Sequence, residues 1–161
     1  VAAVPGRMEC LSRKGCPAVV VDYAHTPDAL EKALLAARKH CQNLLWVVFG
    51  CGGDRDTGKR AEMAVIAEQL ADKVVVTSDN PRTENPDVII EMIMQGFIEA
   101  EAVLVLPERE TAISHAIQMA GADDLILIAG KGHEDYQDIM GVKYPFSDKE
   151  IANQWMERRS A

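Results

Sequence analysis

No apolar run in this chain approaches the ~18 residues of a membrane-spanning helix, so insertion into a bilayer is not expected. Positive charge is scarce as well. Lys and Arg number 17 against 25 Asp and Glu, a formal net charge of -8. With no basic stripe to offset that balance, non-specific nucleic-acid binding is excluded. There are only four cysteines, Cys10, Cys16, Cys41 and Cys51, with no C-x-x-C pair and no metal-ligand spacing. Reduced thiols in a cytoplasmic protein are expected, and Cys41 and Cys51 flank or follow an apolar strand, where a free thiol packs as a small hydrophobe. The start lacks a basic region followed by an apolar one, so no signal peptide is read there. It also lacks an initiator Met, and the chain reads as a processed product or an excised piece of a longer protein. Neither G-x-x-x-x-G-K-[ST], G-x-G-x-x-G nor G-x-S-x-G occurs.

What is present is a globular composition, 48% hydrophobic and 26% charged over 161 residues, enough for one core. Strand-like and helix-like segments alternate with short connections, the pattern of a parallel α/β sheet. Strands are expected at 18–21, 44–49, 73–78, 102–106 and 124–129. Helices are expected from Thr26-Pro27-Asp28 to about Lys39, over 59–70, from Asn85-Pro86-Asp87 to about Ile98, and over 110–119. A small hairpin could form over 137–144, and Ser147-Asp148-Lys149-Glu150 is a capping box for a last helix. Residues 1–15, rich in Gly, Pro and charge, read as a linker leading into the domain.

Four polar clusters follow predicted strands: Asp22-Tyr23-Ala24-His25, Gly50 to Asp56, Asp79-Asn80-Pro81-Arg82, and Gly130-Lys131-Gly132-His133-Glu134. In a parallel sheet these loops share one edge, where such sheets bind ligands. Asp79 to Arg82 offers an acid, an amide, a rigid turn residue and a guanidinium shaped for a carboxylate, a set that suits a small zwitterion. Taken alone it is equally well a strand-to-loop turn. The glycine loop could let backbone N–H groups approach an anion, with Arg55 adding a charged fork, and would hold a phosphate or a carboxylate. In the last cluster Glu134 and the Gly130 carbonyl could accept from a ligand ammonium. The plain alternative there is a turn with solvated charges.

Together with Gly6-Arg7-Met8-Glu9, these clusters resemble the Mur ligases over nearly the whole chain, but only that family's C-terminal domain. The D-N-P-R element is similar to that of the diaminopimelate-adding members. The resemblance implies a Rossmann-like, mostly parallel sheet of about six strands flanked by helices, occupying residues 16–161. It implies peptidoglycan synthesis in the cytoplasm by a monomer: ATP with Mg2+ phosphorylates the D-Glu γ-carboxylate of a UDP-N-acetylmuramoyl-dipeptide, and the amine of meso-diaminopimelate attacks the acyl phosphate. Carried over by position, Arg55, Asp79, Asn80, Pro81, Arg82, Gly130 and Glu134 would bind diaminopimelate. Arg7, Asp22 and His25 would close on ATP.

The chemistry of the residues fits that division. Diaminopimelate differs from lysine by a carboxylate at its far end, which Arg82 can clamp bidentately while Asn80 adds a hydrogen bond. Lysine would leave the guanidinium unpaired, at a cost of roughly 3–5 kcal/mol. The central ATPase and N-terminal UDP-binding domains of the family are absent from this sequence. Catalytic residues and metal ligands are therefore expected outside it, and the chain alone is expected to be inactive. Two other readings stay open: a related Mur or folylpolyglutamate-type ligase domain for another amino acid, and a non-catalytic small-molecule-binding module.

Overall fold

The computed structural model describes residues 7–161. Its centre is a six-stranded sheet in the order β1-β2-β6-β3-β4-β5. The strands are β1 (Glu9–Leu11), β2 (Ala18–Asp22), β3 (Leu45–Phe49), β4 (Lys73–Val76), β5 (Leu104–Val105) and β6 (Leu125–Ala129). All neighbours pair in parallel except β1, which runs antiparallel along β2 with Glu9 opposite Val21. The four inner sequences, AVVVD, LWVVF, KVVV and LILIA, are almost continuously apolar without alternation because helices cover both faces of the sheet.

Side chains along each strand divide between those faces. Val20, Val47, Phe49, Leu125 and Leu127 pack under α1 (Pro27–Arg38), α2 (Gly58–Leu70) and α3 (Pro86–Met94). Val19, Trp46, Val48, Ile126 and Ile128 pack under α4 (Arg109–Met119) and α5 (Asp148–Ser160). The helices begin where the sequence suggests. Thr26 caps α1 by accepting from the Ala29 N–H at 3.2 Å, and Asn85 caps α3 by accepting from the Asp87 N–H at 2.9 Å; Pro follows each cap. Ser147 caps α5 in the same way.

Three segments depart from expectation. Glu9–Leu11, inside the expected linker, is the edge strand β1, and residues 1–6 of that linker lie outside the described residues. Helix α3 stops at Met94 rather than near Ile98, its ladder giving way to the Gly96 N–H to Ile93 and Phe97 N–H to Met94 carbonyl bonds, and Gly96 lies against α2, where a Cβ would fall 2.1 Å from the Ala61 carbonyl oxygen. The strand expected at 102–106 shrinks to two residues after a 3-10 turn at Ala100–Ala102. The hairpin forms from β7 (Tyr136–Ile139) and β8 (Val142–Pro145), outside the main sheet.

The connection through α4 crosses back over the second face and inserts β6 between β2 and β3. The loops that follow β2, β3, β4 and β6 thus meet at the carboxyl edge beside a change in strand order, the crevice where open α/β sheets receive ligands.

Candidate functional site

A cleft of about 280 Å3 opens at that edge. His25, Arg55, Asp79, Asn80, Arg82, Gly130 and Glu134 line it, so all four polar clusters contribute. Pro81, Arg7 and Asp22 are placed behind or beside it.

The turn from Asp79 to Arg82 is shaped by its neighbours on both sides. Asp79 and Asn80 are buried. The Asn80 carbonyl oxygen of the side chain accepts from Lys131 Nζ at 2.7 Å and from the Asp138 N–H at 2.9 Å, while its Nδ2 donates to Glu134 Oε1 at 3.2 Å. Asn80 is thereby an organiser of the site, with one amide hydrogen left for a ligand. Pro81 acts through its backbone. A Cβ on Gly53 would lie 1.8 Å from the Pro81 carbonyl oxygen, so only glycine lets the two loops touch. The Gly53 N–H donates to the Asn80 carbonyl at 2.7 Å across the same contact.

Arg82 carries a left-handed backbone, φ 53°, which costs a non-glycine residue about 1–2 kcal/mol. The hairpin holds it there. The Arg82 N–H donates to the Asp138 carbonyl at 3.0 Å, and the Met140 N–H donates to the Arg82 carbonyl at 2.8 Å. Its Nη1 donates to the Gly53 carbonyl at 2.9 Å, leaving the rest of the half-buried fork to face the cleft. Gln137 of β7 completes the attachment by donating to the Asp79 carbonyl at 2.7 Å.

At the end of β2 the remaining predicted residues gather around Tyr23. His25 Nδ1 lies 2.8 Å from the Tyr23 carbonyl, with the two rings edge to face at 4.7 Å. Arg7 stacks over the Tyr23 ring at 5.9 Å. Asp22 is buried and accepts from the main-chain N–H groups of Met8 (2.7 Å) and Ala24 (2.8 Å), which ties the segment before β1 to this corner.

Three buried cations are missing from the sequence-derived set: Lys131, Arg60 and, behind them, Arg109, which pairs with Asp148. The Lys131 side chain is fully buried, not a solvated turn charge; the signal for it is a lysine held between glycines directly after an all-apolar strand. Arg60, on α2, is 1% exposed and grips Glu84 and the Gly52 carbonyl. Nothing in the helical spacing of 59–70 marks that arginine as buried. His133, in contrast, is exposed. Burial, and then the nearby charge of Asp79, push the Cys51 thiol up to about 12 despite Arg60, so it faces the cleft as a neutral group and not as a nucleophile. Among the described residues no cluster of three His, Cys, Asp or Glu is arranged to hold a metal ion.

Residues 6–132 match the family described as Mur ligase, glutamate ligase domain. The chain belongs to the Mur ligase family. A UDP-N-acetylmuramoyl-L-alanyl-D-glutamate–2,6-diaminopimelate ligase from Haemophilus ducreyi is 58% identical over 97% of this Mur ligase chain. This chain spans 32% of that relative's length. A solved structure of a ligase with that same name superposes with a TM-score of 0.92 at 42% identity, covering 100% of this chain and 33% of its own. A bifunctional folylpolyglutamate synthase/dihydrofolate synthase solved with Mn, AMPPNP and L-glutamate bound shares the fold alone, with a TM-score of 0.63 at 21% identity over 80% of this chain and 29% of its own.

Proposed function

We propose that this chain is the C-terminal domain of an ATP-dependent ligase that adds meso-diaminopimelate to UDP-N-acetylmuramoyl-L-alanyl-D-glutamate in peptidoglycan synthesis. One observation carries the reading. Arg55 and Arg82 line the same cleft as Asp79 and Glu134, so cationic and anionic groups from three loops face one enclosed volume. A ligand with carboxylates and ammonium groups at separated positions satisfies both sets. Arg82 takes the far carboxylate, with Arg55 and the free amide hydrogen of Asn80 assisting. Asp79, Glu134 and the Gly130 carbonyl take the ammonium at that end. Pro81 sets the turn through its contact with Gly53.

In the full-length ligase the other amine of diaminopimelate attacks the acyl phosphate carbonyl carbon, the amide bond forms, and phosphate leaves with the proton passing to a base. ATP would supply the γ-phosphoryl group of the acyl phosphate, with ADP leaving, and the Mg2+ ligands and catalytic groups would lie in domains outside this chain. Arg7, Asp22 and His25, gathered at the Tyr23 corner, meet the nucleotide when the domains close. The same reading assigns the protein to the cytoplasm as a monomer.

The test is Arg82→Ala in the full-length ligase. The KM for diaminopimelate should rise about a hundredfold or more, as expected for an unpaired ligand carboxylate. The KM for ATP should stay within about threefold. Equal effects on both substrates would overturn the assignment, as would wild-type use of lysine as readily as diaminopimelate.

A further inference from the structure

One buried cation stands behind the cleft without lining it. Lys131 follows Gly130 at the end of β6, and its side chain is 0% exposed. Its ammonium meets acceptors from three segments. These are Asp79 Oδ1 at 3.3 Å and Asn80 Oδ1 at 2.7 Å in the turn after β4, Glu134 Oε1 at 3.4 Å in its own loop, and the Tyr136 carbonyl at 2.8 Å where β7 begins. An ammonium has three protons, so these acceptors saturate it. Lys131 has nothing left to offer a ligand. Its role is to fix where the acceptors point.

The charges around it add up in a specific way. Asp79 and Glu134 bring two negative charges, and Lys131 cancels one. The next cation is Arg109 of α4, and it is matched by Asp148 of α5 through paired contacts of 2.8 Å each. Asn80 and the Tyr136 ring are neutral, as is the Cys51 thiol beside Asp79. Counted apart from Arg55 and Arg82, which the proposed site gives to the ligand carboxylate, Asp79, Glu134 and Lys131 carry one net negative charge, which is what a single ligand ammonium neutralises. Without the lysine, two partly enclosed carboxylates on separate loops would keep only the field of Arg109, which is already paired with Asp148, and would repel.

Resting on the reading of this cleft as a diaminopimelate site, we infer that Lys131 is a positioning residue: it presents Asp79 and Glu134 to one ammonium and sets selection for the amino group at that end of the ligand. Arg82 selects for the carboxylate, and Lys131 acts on the other half of the same zwitterion.

The experiment uses the full-length ligase with three acceptors: meso-diaminopimelate, 2-aminopimelate (both carboxylates, one amine) and lysine (both amines, one carboxylate). Lys131→Met should lower kcat/KM for diaminopimelate about tenfold or more, chiefly through KM, and the diaminopimelate-to-2-aminopimelate preference should fall by a similar factor. The diaminopimelate-to-lysine preference should stay within about threefold, because Arg82 is untouched and the Asp138 N–H still holds the Asn80 side-chain oxygen. Lys131→Arg, which keeps the charge, should recover part of the lost preference. An equal loss for diaminopimelate and 2-aminopimelate, or no loss, overturns the inference. If Lys131→Met does not fold, Lys131→Gln provides the neutral variant with a donor retained, and the same ratios decide. If neither neutral variant folds while Lys131→Arg does, the lysine serves folding and the inference fails. Arg82→Ala measured alongside separates the two claims. Should it leave the preference for diaminopimelate over lysine intact, the reading of the site fails; should it abolish that preference while Lys131→Met changes nothing, only the role of Lys131 fails.

Discussion

Arg60 holds Glu84 through both arms of its guanidinium, Nη1 to Oε2 at 2.9 Å and Nη2 to Oε1 at 2.8 Å. The pair joins α2 to the segment just after Arg82. The Asp54 N–H also donates to Glu84, at 2.6 Å, and Asp54 in turn accepts from the Thr83 hydroxyl at 2.7 Å. The glycine loop and the turn that bears Arg82 are therefore fastened to each other beside the cleft, which Arg60 itself helps to line.

Removing the acid from that clasp should be costly. Glu84→Ala leaves the Arg60 charge buried with the Gly52 carbonyl and the Met92 sulfur as its remaining acceptors, and should destabilise the domain by about 3 kcal/mol in urea unfolding at neutral pH. The hydrogen bond from Arg60 and the Asp54 N–H hold the Glu84 carboxyl at about 2, below its ordinary 4.5. A depressed carboxylate contributes its stability above the ordinary value and loses it as pH falls toward the folded-state value. Wild type should therefore lose stability between those two pH values with a slope that Glu84→Gln lacks.

The Arg109–Asp148 pair should behave differently when broken and when replaced. Both side chains are 0% exposed, and Asp148 and Arg109 connect the first turn of α5 to the carbonyls of Ser78 and Ala129 at the ends of two strand segments. Burial alone would lower the arginine, yet the charge and hydrogen bonds of Asp148 outweigh it and the cation is held firmly. Asp148→Ala should cost about 3–5 kcal/mol by chemical unfolding. Arg109→Met combined with Asp148→Leu should cost much less than either single change, with a coupling of about 2 kcal/mol or more in the double-mutant cycle.

Arg82 should show stability and selection moving in opposite directions. Its left-handed backbone suits glycine, so Arg82→Gly should leave the thermal midpoint unchanged or raise stability by up to about 1 kcal/mol. In the full-length ligase, the proposed function has the same change abolish the preference for diaminopimelate over lysine. A large drop in stability would mean that the guanidinium contact with the Gly53 carbonyl matters more than the backbone strain.

The alternation of β-branched strands and capped helices made the sheet legible in the sequence, because Val, Ile and Leu runs and Thr-Pro or Asn-Pro starts act locally. Placing four polar loops at one edge followed from that alternation alone. The edge strand Glu9–Leu11 was not legible: it is three residues long, with a mixed sequence, and exists only because β2 offers it a ladder. The burial of Lys131 and Arg60 was not legible, since it depends on acids that arrive from distant loops, Asp79 for Lys131 and Glu84 for Arg60, or from the next turn, Glu134. The hairpin was seen as a shape without a purpose. Its attachment to Asp79, Asn80 and Arg82 is made by main-chain groups and by Gln137, which carry no sequence signature.

Strand β6 is the last of the sheet to be synthesised and the one that lies in its middle. β2 and β3 are consecutive in sequence yet have no ladder between them; each pairs with β6. A nascent chain that stops short of Leu125 can build one ribbon from β1 and β2 and another from β3, β4 and β5, and no ladder joins them. The contacts that close the gap span most of the chain, which makes them slow to form. The cleft is therefore finished late: the loops after β3 and β4 can meet on their own ribbon, but the β2 corner and the wall at 130–134 join them only in the step that completes the sheet.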